Sequence, residues 1–238
     1  MTAIFYGVAG ALLAPLGVWI LNKMPARCFC DYDEQPGPEH QAPRASMQKQ
    51  GWPAGLFLCI TAVLLFLRFG AGVESAALVL FCAVLTLISL ADTRFSIIPD
   101  ELLIAGGVLA VISALPAALA QNSLMGWLSP LLGGALGAGM VLALNLIARL
   151  FYKRDALGMG DVKLLAVCGL ACGLSGVLYV AVLTLFLAGG SFVLLMALKK
   201  LSPDEYHPLG PYIVLAAALT LCFRPVLDNL VQWYLSLL

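Results

Sequence analysis

Long stretches of apolar residues dominate the chain, and short polar segments separate them. A helix that crosses a bilayer needs about 20 consecutive apolar residues, with a range of roughly 17–25. The pattern predicts eight such helices, at 4–21, 55–69, 75–91, 102–121, 124–148, 162–174, 177–198 and 209–223. Residues 226–238 contain Asp228, Asn229 and Gln232, and are predicted to form an amphipathic helix at the membrane surface.

The composition agrees with a membrane protein. Hydrophobic residues make up 62% of the 238 residues and charged residues 11%, whereas soluble domains carry roughly 25% charged residues. These values exclude a water-soluble enzyme and a disordered chain. The net charge of zero leaves no basic surplus to attract nucleic acid. We therefore expect an all-α, polytopic integral membrane protein of about eight transmembrane helices, surrounded by a lipid bilayer.

The basic residues predict how the helices are oriented, because cytoplasmic loops carry an excess of Lys and Arg. With an outer N-terminus, the inner loops are 22–54, 92–101, 149–161 and 199–208. These loops and their immediate flanks then hold eleven basic residues: Lys23, Arg27, Arg44, Lys49, Arg94, Arg149, Lys153, Arg154, Lys163, Lys199 and Lys200. Only Arg68 and Arg224 fall on the outer side. The bias predicts that both termini lie outside.

The only long polar segment follows the first helix, and it divides the chain into two regions. Residues 1–54 are predicted to form the first transmembrane helix and a cytoplasmic loop, and residues 55–238 the transmembrane core. The Pro, Gly, Glu and Gln content of the loop predicts an irregular excursion without a core of its own. Cys28 and Cys30 supply at most half of the four ligands of a structural zinc site. We therefore expect no metal.

Two aspartates fall at helix boundaries on the same predicted side. Asp92 closes the third helix and Asp161 begins the sixth. The third helix runs inward, the fourth outward, the fifth inward and the sixth outward again, so both carboxylates lie at the cytoplasmic boundary. Two facing carboxylates do not easily ionise together, so one can take a proton from water while the other donates one to a carbonyl oxygen. This is the arrangement of aspartic proteases.

The same residues also have structural interpretations, which spacing alone leaves open. Asp161 follows a glycine turn and suits a helix N-cap. Asp92 could simply pair with Arg94 or Lys163. Asp100, which follows a proline, is typical of the first turn of a helix.

Two segments resemble the motifs of the type IV prepilin peptidases. Residues 92–102 resemble the Asp…Ile-Pro-Asp-x-Leu motif of that family, and residues 158–164 resemble its Gly-x-Gly-Asp-x-Lys motif. Residues 208–212, Pro-Leu-Gly-Pro-Tyr, are similar to the Pro-Phe-Gly-Pro-Phe segment near the C-terminus of the family. The order, spacing and predicted topology of the motifs agree with one another.

The resemblance implies a membrane-embedded aspartyl endopeptidase of the bacterial inner membrane. Such enzymes cut the basic leader from type IV prepilins or type II secretion pseudopilins at the cytoplasmic face, and proteolysis needs no cofactor. By motif position, Asp92 and Asp161 are the implied catalytic pair. Residues implied to bind substrate or support the pair are Gly158, Gly160, Lys163, Pro99 and Asp100.

Three of these support residues have alternative roles. Gly158 and Gly160 either admit the substrate backbone close to Asp161 and permit positive φ, or form an ordinary turn between helices. Lys163 either holds a carboxylate ionised or anchors the helix at the membrane interface.

The first loop decides whether a second activity is expected. Residues 14–25 distantly resemble the start of the long, bifunctional family members, which also methylate the new N-terminal amine with S-adenosylmethionine. Many of those members carry two Cys-x-x-Cys pairs, whereas this loop has only Cys28 and Cys30. Methylation therefore stays open, and zinc is not expected. The loop also carries acidic residues that could attract a basic leader or simply be solvated: Asp31, Asp33, Glu34 and Glu39.

Two other functions compete with the peptidase. A proton-coupled transporter could use the aspartates as a proton relay, but neither lies in the middle of a predicted helix, and no inverted repeat is apparent. An inactive scaffold of a secretion complex is the other alternative, and the intact motifs argue against it.

Overall fold

The computed structural model describes residues 2–30, 35–121, 123–152, 157–199 and 207–237, and no strand occurs among them. Several residues considered above lie outside the described residues: Asp31, Asp33, Glu34, Lys153, Arg154 and Lys200. Seven α-helices are described, namely α1 (Thr2–Lys23), α2 (Trp52–Phe69), α3 (Val73–Phe95), α4 (Asp100–Gln121), α5 (Leu124–Tyr152), α6 (Met159–Ala197) and α7 (Gly210–Leu235). Each of these seven contains a stretch that is long and apolar enough to cross a membrane. The prediction of an all-α, polytopic membrane protein is confirmed.

Helix α6 is a hairpin rather than one long rod. Its backbone breaks at Gly173, which has φ 70° and ψ −177°, a conformation that is essentially restricted to glycine. A Cβ placed on Gly137 of α5 would lie 2.5 Å from the carbonyl oxygen of Leu165 and 3.1 Å from Cγ2 of Val177. In a straight helix those two residues would be about 18 Å apart, so the chain must fold back at Gly173.

The two legs of the hairpin are residues 159–172, here α6a, and residues 174–197, here α6b. They correspond to the predicted spans 162–174 and 177–198. The hairpin therefore divides the seven described helices into eight segments, in the order that the apolar pattern predicts, although it is seven whole helices that are long and apolar enough to cross a membrane. The leg α6a has 14 residues and a length of about 21 Å, which makes it shorter than the hydrocarbon core of a typical bilayer, about 30 Å.

Helix α3 lies at the centre of the bundle and packs against α1, α2, α4 and α7. Its side chains Phe81, Leu85 and Ile88 are fully buried. Helix α5 packs closely on α6a through the backbones of facing glycines, since a Cβ on Gly133 would lie 2.4 Å from the carbonyl oxygen of Gly169. Helix α4 packs against both α3 and α6, and so links the end of α3 to the start of α6a.

The first polar loop is packed against the helix ends. Phe29 is fully buried, and its ring centroid lies 5.2 Å from that of Phe95 at the end of α3. Arg44 is 6% exposed, and its guanidinium donates to the Leu21 carbonyl at 3.0 Å. Arg94 donates to the Arg44 carbonyl at 2.5 Å. The loop is irregular, as predicted, but it shares a core with α1 and α3.

Helix α7 bends near its middle. Phe223 departs from helical geometry, with φ −114° and ψ 18°, and Pro225 follows it. The bend coincides with the predicted boundary between the span 209–223 and the C-terminal segment. The location of residues 226–238 at the membrane surface stays a prediction.

Candidate active site

The structure brings together the two aspartates that the sequence singles out. Asp92 lies in the last turn of α3 and Asp161 in the first turn of α6. Their side chains are only 3% and 5% exposed. They are close enough for the charge of Asp92 to act on the carboxyl group of Asp161. A buried pair of carboxylates therefore forms where the two helix ends meet.

Asp92 is held by the start of α7. Its Oδ2 accepts a hydrogen bond of 2.9 Å from the backbone N–H of Gly210. The positive end of the α7 dipole favours a carboxylate at this point. A Cβ on Gly210 would lie 2.5 Å from Oδ2 of Asp92, so a residue with a side chain does not fit unless Asp92 moves. Gly210 is thus part of the site, although sequence analysis did not assign it a role. The only signal was its place in the Pro-Leu-Gly-Pro-Tyr segment.

Asp161 is held by the turn that precedes α6. The N-cap of the helix is Gly158, and the backbone N–H of Gly158 donates to Oδ2 of Asp161 at 3.2 Å. The alternative interpretation of Asp161 as the N-cap itself is therefore wrong by three positions. Its carboxylate still satisfies a free N–H of the helix start, as the side chain at the third helical position commonly does.

The two motif glycines do not use positive φ. Gly158 has φ −69° and ψ 156°, and the described glycines with positive φ are Gly70 and Gly173. Gly160 instead permits close packing, since a Cβ there would lie 3.2 Å from two atoms of Ile98. Positive φ, which belongs to one of the two roles considered for these glycines, does not occur at Gly158, and the small size of Gly160 brings the α6 start against the link between α3 and α4.

The remaining support residues join the starts of α4 and α6. Lys163 donates to both carboxylate oxygens of Asp100, at 2.7 and 2.9 Å, and the two side chains are 44% and 41% exposed. Pro99 is buried, and its carbonyl accepts the N–H of Leu103 at 3.2 Å as α4 begins. Lys163 therefore pairs with Asp100, and the pair links the start of α6 to the start of α4.

The first loop reaches the edge of this site through a cysteine. The thiol of Cys28 donates to Oε1 of Glu101 at 3.2 Å. Partial burial, the hydrogen bond to Glu101 and the charge of that carboxylate raise the pKa of Cys28 to about 11. Among the described residues, no group of three or more His, Cys, Asp or Glu side chains could hold a metal ion.

Comparison with known proteins agrees with this geometry. Residues 79–195 match the model of the type IV leader peptidase family, and this range includes both aspartates and the five support residues. This part of the chain is therefore similar to that family. No solved structure matches the chain.

Two curated relatives are both named prepilin leader peptidase/N-methyltransferase. The protein of Bacillus subtilis (strain 168) is 30% identical over 174 residues, which cover 72% of this chain and 64% of that protein. The protein of Xanthomonas campestris pv. campestris is 26% identical over 159 residues, which cover 67% of this chain and 53% of that protein. The chain therefore spans less than two thirds of the length of these relatives.

Proposed function

We propose that the protein is a membrane aspartyl endopeptidase that removes the leader peptide from prepilin-like proteins. The observation that carries the proposal is the buried pair of Asp92 and Asp161 at the adjoining ends of α3 and α6. The names of the two relatives support the substrate class.

The pair has the groups that peptide hydrolysis requires. With one proton between them, one carboxylate takes a proton from a water molecule, whose oxygen attacks the scissile carbonyl carbon. The protonated partner donates its proton to the carbonyl oxygen. When the C–N bond breaks, the carboxyl group that received the water proton returns it to the leaving amine, and the other carboxylate takes a proton back from a hydroxyl of the diol intermediate as the carboxylic acid forms. Water is thus added across the peptide bond, and the pair returns to its starting state.

The position of the pair suits a substrate that is part soluble and part membrane-bound. A basic leader would lie in the water, and the apolar helix after it would remain in the bilayer. Cleavage at the junction then requires that the carboxylates lie at a helix boundary, as they do here. The bias of basic residues supports a cytoplasmic location of this boundary in a bacterial inner membrane. Pseudopilins of type II secretion have the same chemistry and are included in the proposal.

The experiment uses purified full-length protein and a prepilin in detergent. We expect D92N and D161N each to abolish removal of the leader, while both variants still insert and accumulate. D228N removes a carboxylate from the other end of the bundle and serves as a matched control with normal cleavage. Normal cleavage by D92N or by D161N would contradict the proposal. A proton-coupled transporter predicts no cleavage by any of these proteins.

The same reaction tests the second activity that the names of the relatives include. With S-adenosylmethionine in excess, the mass of the mature product shows whether its N-terminal amine gains one methyl group. Gain of 14 Da, about the mass of the added CH₂, makes the protein bifunctional. An unmodified amine at full cleavage makes it a peptidase alone.

A further inference from the structure

A cavity with charged residues in a largely apolar wall lies at the end of the helix bundle opposite the aspartates. Its volume is about 210 Å³, and its lining includes Arg68, Glu74 and Arg224. Cys172, also in the cavity wall, is about 16 Å from Asp161 along the axis of α6a. The cavity is therefore separate from the proposed peptidase site.

The two arginines converge where two helices are interrupted. The guanidinium of Arg68 donates to the carbonyl of Leu221, which precedes the bend of α7. The guanidinium of Arg224 donates to the carbonyl of Cys172 at 2.6 Å, directly before the hairpin turn at Gly173. A guanidinium carries five N–H groups, and the described hydrogen bond of Arg68 uses one of them. The remaining N–H groups of Arg68 are therefore able to donate to a ligand in the cavity.

The charges of the lining are unequal. The guanidiniums of Arg68 and Arg224 are close enough to repel each other, and Glu74 is the acidic residue of the cavity wall in the part of the chain described. Asp228 lies 3.6 Å from Nε of Arg224 and also accepts a hydrogen bond of 2.7 Å from Tyr179. Asp228 and Glu74 together balance the charges of the two arginines, and the N–H groups that the two guanidiniums do not use within the described part of the protein favour an anionic oxygen ligand.

We propose that this cavity binds an anion of the phosphate class between the guanidiniums of Arg68 and Arg224. Arginine suits phosphate because its planar group offers two parallel N–H donors. The hydroxyl of Ser129 also lines the cavity and is able to donate to a phosphate oxygen, since its described hydrogen bond is one that it accepts, from the N–H of Leu174. The phosphate comes either from the headgroup of an anionic phospholipid or from free phosphate in solution.

The source is tested with purified protein in a non-ionic detergent, stripped of lipid. The melting temperature is measured during titration with phosphatidylglycerol, with zwitterionic phosphatidylcholine or with inorganic phosphate. Stabilisation by phosphatidylglycerol alone assigns the site to an anionic lipid headgroup. Stabilisation by inorganic phosphate as well assigns it to phosphate itself. If neither anion stabilises the protein more than phosphatidylcholine does, the proposal is overturned.

Variants test whether the cavity is responsible. We expect R68Q and R224Q each to weaken the apparent affinity by about tenfold or more, the range for a charge-assisted hydrogen bond. R27Q removes one exposed positive charge from the first loop and should leave the affinity unchanged. E74Q keeps both guanidiniums and removes the negative charge, so it should bind the anion more tightly. E74Q therefore tests anion binding at the cavity even if R68Q or R224Q does not fold. The same loss in R27Q as in R68Q, or no gain in E74Q, would overturn the proposal.

Discussion

A methyl group at position 210 provides the sharpest test of the aspartate pair, because it removes no catalytic atom and changes only where Asp92 lies. G210A keeps the backbone N–H that holds Asp92. Its Cβ, however, would lie 2.5 Å from Oδ2 of Asp92, 3.1 Å from Cγ and 3.2 Å from Cβ. All three contacts are tighter than ordinary van der Waals distance. The Asp92 carboxylate must therefore shift, since rotation of its terminal group relieves only the first contact.

The size of the effect follows from the distances. A carboxylate oxygen and a methyl carbon normally stay about 3.5 Å apart, so Asp92 must move by roughly 1 Å. A displacement of about 1 Å in a catalytic group costs on the order of 100-fold in rate. Overpacking of a buried site costs typically 1–3 kcal/mol of stability. We therefore expect kcat/KM of G210A to fall about 100-fold, with a protein that still folds.

The assay measures kcat/KM for leader removal beside the melting temperature of the same preparation. The matched control is G139A on α5, where an added Cβ meets nothing within 4 Å. That variant should cleave normally, and it should be unchanged or slightly stabilised because Ala is the better helix former. Full activity of a folded G210A would show that Asp92 does not need its observed position. Equal losses in G210A and G139A would point to a general effect on the bundle.

Three further predictions concern the surroundings of the pair. K163M removes the half-exposed ion pair with Asp100, so we expect a stability change of at most about 1 kcal/mol. The loss in kcat/KM for leader removal should be less than about tenfold. A loss as large as that of D92N would contradict this expectation. The pKa of Cys28 is raised from 9.0 to about 11, so at pH 8 its thiolate is about 100-fold scarcer than that of an ordinary thiol. We therefore expect alkylation of Cys28, measured by mass spectrometry, to be slow. E101Q should lower this pKa and speed the reaction, and equal rates in both proteins would refute the contact. A cysteine placed at Ser96 in a cysteine-free background should react with an impermeant reagent only from the cytoplasmic side, and labelling of intact cells from outside would overturn the orientation.

The spans and the aspartate pair were predictable because both follow from the lengths and the order of the apolar stretches in the sequence. Apolar run length reports a membrane helix directly. The alternation of helices then determines which boundaries share a side, and this brought Asp92 and Asp161 to the same side without any contact information. Their burial and mutual proximity in the structure agree with that derivation.

The contact between Asp92 and Gly210 could not be derived in this way. It joins a side chain to a backbone N–H 118 positions away, and no periodicity reports a backbone donor. The choice between positive φ and an ordinary turn at Gly158 stayed open in the sequence for a related reason. Glycine is compatible with several roles, and only the neighbouring atoms show that close approach at Gly160, rather than an unusual dihedral angle, is the requirement.

The buried Arg44 shows the limit of counting charges. Sequence analysis used it as one of the residues that identify a cytoplasmic loop. In the structure it is almost fully enclosed, and its guanidinium donates to carbonyls of the α1 end and the loop, including those of Leu21 and His40. A cation is favoured there because the last carbonyls of a helix have no partner within the helix. The same side chain thus organises the loop, and the sequence contains no pattern for that role.

The break at Gly173 is the step on which the whole arrangement depends. As one rod, the 39 residues of α6 would extend about 58 Å, far beyond the hydrocarbon core. The next polar segment would then lie on the side opposite to Asp161. Because the chain reverses at Gly173, α6b returns toward the end at which α6a began. The hydroxyls of Ser191 on α6b and Tyr212 on α7 are 2.6 Å apart. Helix α7 therefore begins beside Asp92, where the N–H of Gly210 can reach its carboxylate. A single glycine dihedral thus places the third motif against the first.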